Sequence, residues 1–422
     1  MIDTVDLKKS ISIEEDNIIK EIKSESLDKL KLSYKKYKEE YKYTPLLRNI
    51  EKKYGSFNSS ANIKKADSYK DLISTKDKHY IVTLNGSYIE NLSKIPNSID
   101  IKNIKDLSKK EQNIFIDSYS KIDDSTDDIF SSINTILHSN CLTFKINKST
   151  ILKEKISIIN IVDSSKPTYF RKCFIIDKNS EISFSEEFIN VTKDGNFSNS
   201  VTEIYMDENA VLNYFSTQNI RKNYHFNSIN VFQKRNSTSN FHTYSFSGSI
   251  IRNNLNIKLL DKSCYANMYG FYAIKNSSHI DNHTSVDHID ENSISNEHYK
   301  GIVDDGSNGV FNGKIFVRQR AQKTNAFQSN NNILLSDNAK VNTKPQLEIW
   351  ADDVKCSHGC TVGQLDDDAL FYLMSRGISR KDAISLLLSA FSTDITEKIG
   401  DKVIREEYQL MILKELEGLN YE

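Results

Sequence analysis

Three residues that favour soft or borderline metals sit at alternate positions near the end of the chain. In "EIWADDVKCSHGCTVGQLDDDALFYLMSRG", from Glu348 to Gly377, they are Cys356, His358 and Cys360. The same stretch holds the only tryptophan, Trp350. If "DVKCSHGCT" is a strand, the three project from one face, and Lys355 and Ser357 from the other. Thiolate and imidazole suit zinc, iron or an iron–sulfur cluster. Neighbouring ligands on one strand fit a single ion poorly, which disfavours a closed structural site within one chain. Gly359 is also placed to bend the strand. The plainer reading is that the cysteines act as small hydrophobes and the histidine is hydrogen-bonded.

A second stretch, "SSHIDNHTSVDHIDENSISNEHYKGI", carries His279, His283, His288 and His298. Its spacing matches no compact zinc signature, and polar surface or hydrogen bonding between strands accounts for it. Asp366, Asp367 and Asp368 open a helix and complement its dipole. There is no G-x-x-x-x-G-K-[ST], no G-x-G-x-x-G and no G-x-S-x-G. Nucleotide-site and serine-hydrolase chemistry of those kinds has no footing here.

The elements that would hold these residues follow from periodicity. In "SLDKLKLSYKKYKEEYKYTPLL", Leu27, Leu30, Tyr34, Tyr37 and Tyr41 form an apolar stripe on a helix that Thr44-Pro45 ends. A mixed region follows to about residue 140, including "HYIVTLNGSYI" with a turn at Asn85-Gly86. From about 141 to 362 short β-rich segments follow one another: "LTFKI", "ISIINIV", "CFIID", "EISFSEEF", "NFHTYSFSG", "LNIKLL". Asp177, Asp207, Asp261 and Asp337 each begin a similar corner of small or amide residues. Recurrent corners between short strands point to a solenoid, although their spacing is irregular; a sandwich or barrel fits the texture too. From Asp366 the pattern is helical: "DDALFYLMSRG" capped by Gly377, a second helix opened by Ser379 with Asp382, and a last one running from Ile395 through Leu416.

The 422 residues carry 56 Lys and Arg against 57 Asp and Glu, a formal charge of −1. That balance gives no electrostatic reason to expect nucleic acid or an anionic membrane as partner. No apolar run reaches the roughly 18 residues of a membrane helix. The first residues are acidic and polar, without an apolar signal core, so a cytoplasmic chain with reduced thiols is expected. Five scattered cysteines (141, 173, 264, 356 and 360) do not make a disulfide scaffold. The abundance of Lys, Asn and Ile is read as compositional bias.

Several of these segments resemble a known family. "QKTNAFQ", "NNILLSDNA", "QLEIWADDVKCSHG" and "LFYLMSRGI" with its following helix are similar to the C-terminal core of the SufB/SufD family, scaffolds of SUF iron–sulfur cluster assembly. "EHYKGIVDDGSNGVFNGKI" fits its pattern of a Lys-Gly pair before the last strands, and "KYTPL" and "FSSINTILHSN" resemble its N-terminal signatures. The resemblance is strong from about 280 to 392 and faint elsewhere. B-type members have His followed by Glu at this place; Cys356-Ser357-His358-Gly359 is the D-type form, like SufD.

The resemblance implies a right-handed parallel β-helix core (141–364) between an N-terminal helical and mixed domain (1–140) and a C-terminal helical domain (365–422). It implies a SufBCD complex, in which this non-catalytic subunit forms a heterodimer with a SufB-like scaffold and each C-terminal domain docks a SufC-like ATPase. Without SufB, a homodimer stays open. His358 would lie at the heterodimer interface and share a nascent iron–sulfur cluster with a partner cysteine. Cys356 would assist, and Cys360 would pack. Leu370, Phe371, Arg376, Gly377, Leu386 and Phe391 would face the ATPase. Flavin is linked to the family's assembled complex, though no residue here argues for it. The rivals are a SufB-like scaffold that receives sulfur itself, a solenoid enzyme acting on polysaccharide, and a metal-dependent enzyme using the His279–His298 stretch.

Overall fold

The computed structural model describes residues 4–12, 17–57, 66–73, 77–107 and 128–419. The protein is mainly β: a parallel β-solenoid of about eight turns with helices toward both termini.

The N-terminal part has helices Thr4–Ser12, Asn17–Glu40 and Leu46–Tyr54. Leu27, Leu30 and Tyr41 are buried, as the stripe requires, and Tyr37 packs beside them; the side chain of Tyr34 lies outside the described ones. The stripe covers the helix Ile129–Leu137 and the outer surface of the solenoid at Phe197, Phe226 and Ile250. Asp128 caps the Ile129–Leu137 helix by accepting from Phe130 N, and also accepts from Tyr41 Oη at 2.6 Å. One carboxylate thus fixes a helix start and the end of the stripe.

The strands are β1 (His79–Leu84), β2 (Ser87–Tyr88), β3 (Ile99–Asn103), β4 (Cys141–Ile146), β5 (Ile156–Val162), β6 (Thr168–Ile176), β7 (Glu181–Asn190), β8 (Phe197–Met206), β9 (Val211–Gln233), β10 (Thr238–Leu259), β11 (Tyr265–Ile274), β12 (His279–His288), β13 (Ile294–Val303), β14 (Asn308–Val317), β15 (Asn325–Leu334), β16 (Lys340–Ile349) and β17 (Lys355–Gly363). Two parallel ladders result. One stacks β4, β6, β8, the second halves of β9 and β10, then β12, β14 and β16. The other stacks β1, β5, β7, the first halves of β9 and β10, then β11, β13, β15 and β17. The lumen between them is filled by side chains such as Phe144, Phe174, Phe184, Tyr214 and Phe241.

A column of left-handed residues makes the corners: Ser149, Asn179, Asn209, Asn236, Ser263, Asn292 and Lys323, all with φ between 58° and 64°. Mostly Asn and Ser, these tolerate that conformation better than larger side chains do. Each donates its N–H to a carbonyl of the next coil, as Asn179 does to Glu208 O at 3.0 Å. This explains the irregular corner spacing in the sequence. Asp177, Asp207 and Asp261 precede members of this column, but the corner at Asn236 lacks an aspartate. Asp337 sits on the opposite side of the coil, where Asn276, Ser277 and Asp305 are left-handed. "NFHTYSFSG" and "LNIKLL" are one continuous strand, β10, bent at register shifts between Ser245 and Ser247 and between Gly248 and Ile250.

Asparagine is structural here rather than a by-product of composition. Asn213, Asn240, Asn267 and Asn296 stack one per coil; the last three each donate from Nδ2 to the Oδ1 below at 2.8–2.9 Å, and Asn213 donates to Ser183 Oγ. Because coils are in register, one residue type repeated at one position satisfies itself along the stack.

Helices Asp367–Ser375, Arg380–Thr396 and Lys402–Glu417 follow β17. Ser379 caps the second with Asp382, and Gly377 is left-handed at φ 86° just past the first. The expected single last helix is broken instead: Ile395 belongs to the last turn of the second helix, which ends at Thr396, and Asp401 starts a new one by accepting from Ile404 N. A capping carboxylate one residue after Gly400 outweighs the apolar period that runs across the break. Tyr408 of the last helix stacks on Phe215 and Tyr244 of the solenoid, with ring centroids at 5.1 and 4.7 Å.

Candidate functional site

β17 pairs with β15 without a register break from Lys355 to Gly363, so Gly359 leaves the alternation intact. Cys356 lies beside Ala326, His358 beside Gln328 and Cys360 beside Asn330. Those three neighbours are buried in the lumen. The cysteines and the histidine therefore top three lumen-facing columns and share one face, as period two requires. His358 and Cys360 are exposed and Cys356 is partly so.

The exposure has a topological cause. Among the described residues, β16 pairs only with β14 and β17 only with β15, so their outer edges carry no strand. The solenoid ends there without a further coil. Apolar side chains stand around this open end: Phe327, Ile349, Trp350 and Val362 are each more than 40% exposed. Trp350 is oriented by Phe316, stacked at 6.5 Å, and by the Arg318 guanidinium at 5.1 Å. Asp287 holds Arg318 through two bonds of 2.8 Å. Sequence reasoning noted Trp350 but missed this rim, because its members are scattered over two coils.

Same-face residues along a strand are roughly 7 Å apart. A metal bonds its ligands at about 2.0–2.3 Å. One ion therefore cannot take all three side chains of this strand, and among the described residues no group of three or more His, Cys, Asp or Glu converges on a point. Cys356 packs with Ala326, Ala351 and Val354, and burial pushes its thiol up. Left to itself it is a weak nucleophile and a weak ligand until a cation or partner draws off the proton.

The other histidine stretch is divided between elements. His279 and His283 lie on β12 beneath the N-terminal helices. His279 Nε2 is 2.9 Å from Thr44 Oγ1, and His283 Nε2 is 3.1 Å from Asp281 Oδ1. Burial alone would raise the Asp281 carboxyl, but Arg252 at 2.7 Å, His283 and Thr44 outweigh it and hold the group well below its usual range. His288 bonds Ser295 Oγ at 2.9 Å, and His298 sits on β13 in the opposite ladder. These residues tie helices to solenoid and coil to coil.

Of the six residues expected to face an ATPase, Phe371, Arg376, Gly377 and Leu386 are exposed. Leu370 and Phe391 are partly buried against the solenoid. Tyr372 and Met374 on the first of the C-terminal helices, and Val403 and Leu410 on the last, are further exposed apolar residues. Lys300, of the Lys-Gly pair, is buried and donates from Nζ to Phe391 O at 2.9 Å and to Asp394.

Fold and site together define a β-solenoid protein with a thiol–imidazole strand at an uncovered end. Residues 160–391 match the family model for the SUF system FeS cluster assembly SufBD core domain, and residues 6–158 match the SufBD protein N-terminal region. The chain belongs to the SufB/SufD family. It is 27% identical over 386 residues to the iron-sulfur cluster assembly protein SufD of Escherichia coli K12, covering 90% of this chain and 88% of that one. An iron-sulfur cluster assembly SufBD family protein of Synechocystis is 28% identical over 337 residues, covering 76% and 74%. Protein ABCI7, chloroplastic, of Arabidopsis thaliana is 31% identical over 236 residues, covering 55% and 50%. The SufD name agrees with the D-type form at Cys356–Gly359. No helix among the described residues is long and apolar enough to cross a membrane.

Proposed function

We propose that this chain is the D-type scaffold subunit of a cytoplasmic SufBCD complex and is not itself a catalyst. A SufB-like chain meets the open end of the solenoid. His358, assisted by Cys356, faces a cysteine of that partner, and the nascent cluster, as cargo, forms between them. The observation that carries the reading is the end itself: unpaired edges of β16 and β17 with imidazole and thiol exposed on the last coil. In the partner's absence the same edges serve a second copy of the chain.

The exposed apolar side chains of the C-terminal helices dock a SufC-like ATPase. Those helices follow β17 directly, so ATP-driven closure of two ATPase copies would pull on the interface. Flavin, in this reading, belongs to the assembled complex.

The test is anaerobic co-expression with the SufB-like chain and the ATPase, comparing wild type with His358→Ala. The variant should assemble normally yet yield at least about tenfold less cluster, since even indirect supports of a metal ligand are worth that much. Equal cluster yield would remove His358 from the site. Leu386→Asp should leave the fold intact and abolish co-purification of the ATPase; retention of the ATPase would place its docking surface elsewhere.

A further inference from the structure

The lumen changes character as it nears the open end. One inward column runs Phe184, Tyr214, Phe241, Met268, Glu297, Gln328, His358, each in register with the next. The first four belong to the apolar core. The last three are polar, and Glu297 and Gln328 are buried.

A carboxyl beside Met268 needs partners to be tolerated. Glu297 has two. Thr284 Oγ1 reaches from the opposite ladder to Oε1, and Gln328 Nε2 donates to Oε2 at 2.7 Å. Gly313 makes the room: a Cβ there would stand 2.0 Å from Gln328 Nε2. Once ionised, the Glu297 carboxyl only accepts, so the amide nitrogen of Gln328 is the end that faces it. Its carbonyl Oε1 is left over. That oxygen is buried and has no hydrogen-bond partner. Buried orphan acceptors are uncommon and need a reason. The next residue along the column is His358.

We propose that Gln328 is a positioning residue for His358: Oε1 accepts one imidazole N–H, fixes the tautomer, and leaves the other ring nitrogen to face the partner chain. This rests on the reading of His358 as a cluster-site residue. Ligating histidines nearly always donate their second ring N–H to a carboxylate, carbonyl or water. Here the chain Thr284–Glu297–Gln328 supplies the acceptor from inside the solenoid, anchored on both ladders. Neighbouring strands stand about 4.8 Å apart, so rotation about the His358 side-chain bonds would bring a ring nitrogen to it. An amide acceptor selects a tautomer without adding negative charge beside the incoming cargo.

The test uses the full chain with 15N-labelled histidine, the His358 signals being assigned by their loss in His358→Ala. Ring-nitrogen shifts report the tautomer ratio. Wild type should show one dominant tautomer, and Gln328→Met should move the ratio roughly fivefold toward that of free imidazole, as expected for loss of one hydrogen bond. Thr284→Val, which loosens the column one step further down, should move it part of the way. If Gln328→Met does not fold, Thr284→Val decides. An unchanged ratio in the folded variant overturns the proposal. Should the ratio move while His358→Ala leaves cluster yield unchanged, positioning stands and the cluster-site reading falls; the opposite pair of results removes positioning alone.

Discussion

Glu297 makes the lumen sensitive to pH. Burial pushes its carboxyl up to about 7 from an ordinary 4.5, against the bonds from Gln328 and Thr284, which pull it down. The unfolded chain releases this proton near 4.5, so between 4.5 and about 7 the folded chain holds more proton than the unfolded one. Stability from this group is complete below the lower value and declines as pH rises to the upper one. Glu297→Gln removes the titration. In urea denaturation across that range the variant should gain on wild type by about 3 kcal/mol, then run parallel to it above pH 7. A pH-independent difference would show that the carboxyl titrates alike in both states. Gly86 is a second critical residue. It is left-handed at φ 86°, and a Cβ there would lie 2.2 Å from Tyr169 O, a backbone atom that cannot swing away. Gly86→Ala should cost about 2 kcal/mol or more, read as a fall in thermal midpoint. Of these residue-level features, the shared face of Cys356, His358 and Cys360 and the Asn85-Gly86 turn were legible, since both depend on local spacing. That Gln328 is the register neighbour of His358 was not, because corner lengths set the register between residues 30 apart in sequence.

At the scale of elements, the strands were legible from β-branched and aromatic alternation, and the corners from their Asp and Asn. The repeat itself was blurred because two corner columns and the bent strands β9 and β10 interleave. The β9 bend between Ile220 and Tyr224 carries no Gly or Pro to read, and β10 carries only the single Gly248. The break before Lys402 was hidden for a related reason: Ile395, Ile399 and Ile404 stay buried before, within and after it, so the apolar period persists while the backbone stops. Lys300 shows how an element from one region is held by another. Its Nζ bonds Phe391 O and Asp394 and stands 4.5 Å from the Phe391 ring centroid. A charged hydrogen bond in such a setting is worth about 1.5–3 kcal/mol. Lys300→Met should therefore raise hydrogen exchange over residues 384–396 roughly tenfold to a hundredfold, while β11–β15 keep their protection. Uniform loss across the chain, or no change in the helix, would mean that apolar packing alone seats it.

A solenoid buries each coil on the next, so its two ends are the only places where that logic stops. At the first end the antiparallel pairing of β3 with β4, from Ile99 opposite Ile146 to Asn103 opposite Leu142, interrupts the parallel stack. At the other end nothing comparable interrupts it among the described residues. β17 alternates like any interior strand, and that is why its position was invisible in the sequence: a strand's own residues do not record whether another coil covers it. Natural proteins blunt such edges with charge or cover them. Here Val362 tops the column above buried Asn332, is 45% exposed, and has no charged neighbour on its own strand nearer than Lys355. An end built this way is suited to being covered by another chain. Val362→Lys places an ammonium on the face that a partner would bury, while in the isolated chain it remains in water. The isolated variant should keep its thermal stability to within about 0.5 kcal/mol, as exposed substitutions do. Assembly with the SufB-like chain should weaken at least tenfold by sedimentation, because an unpaired buried charge costs several kcal/mol. Should the variant assemble as tightly as wild type, the open end is not where the second scaffold binds, and His358 would have to find its missing ligands some other way.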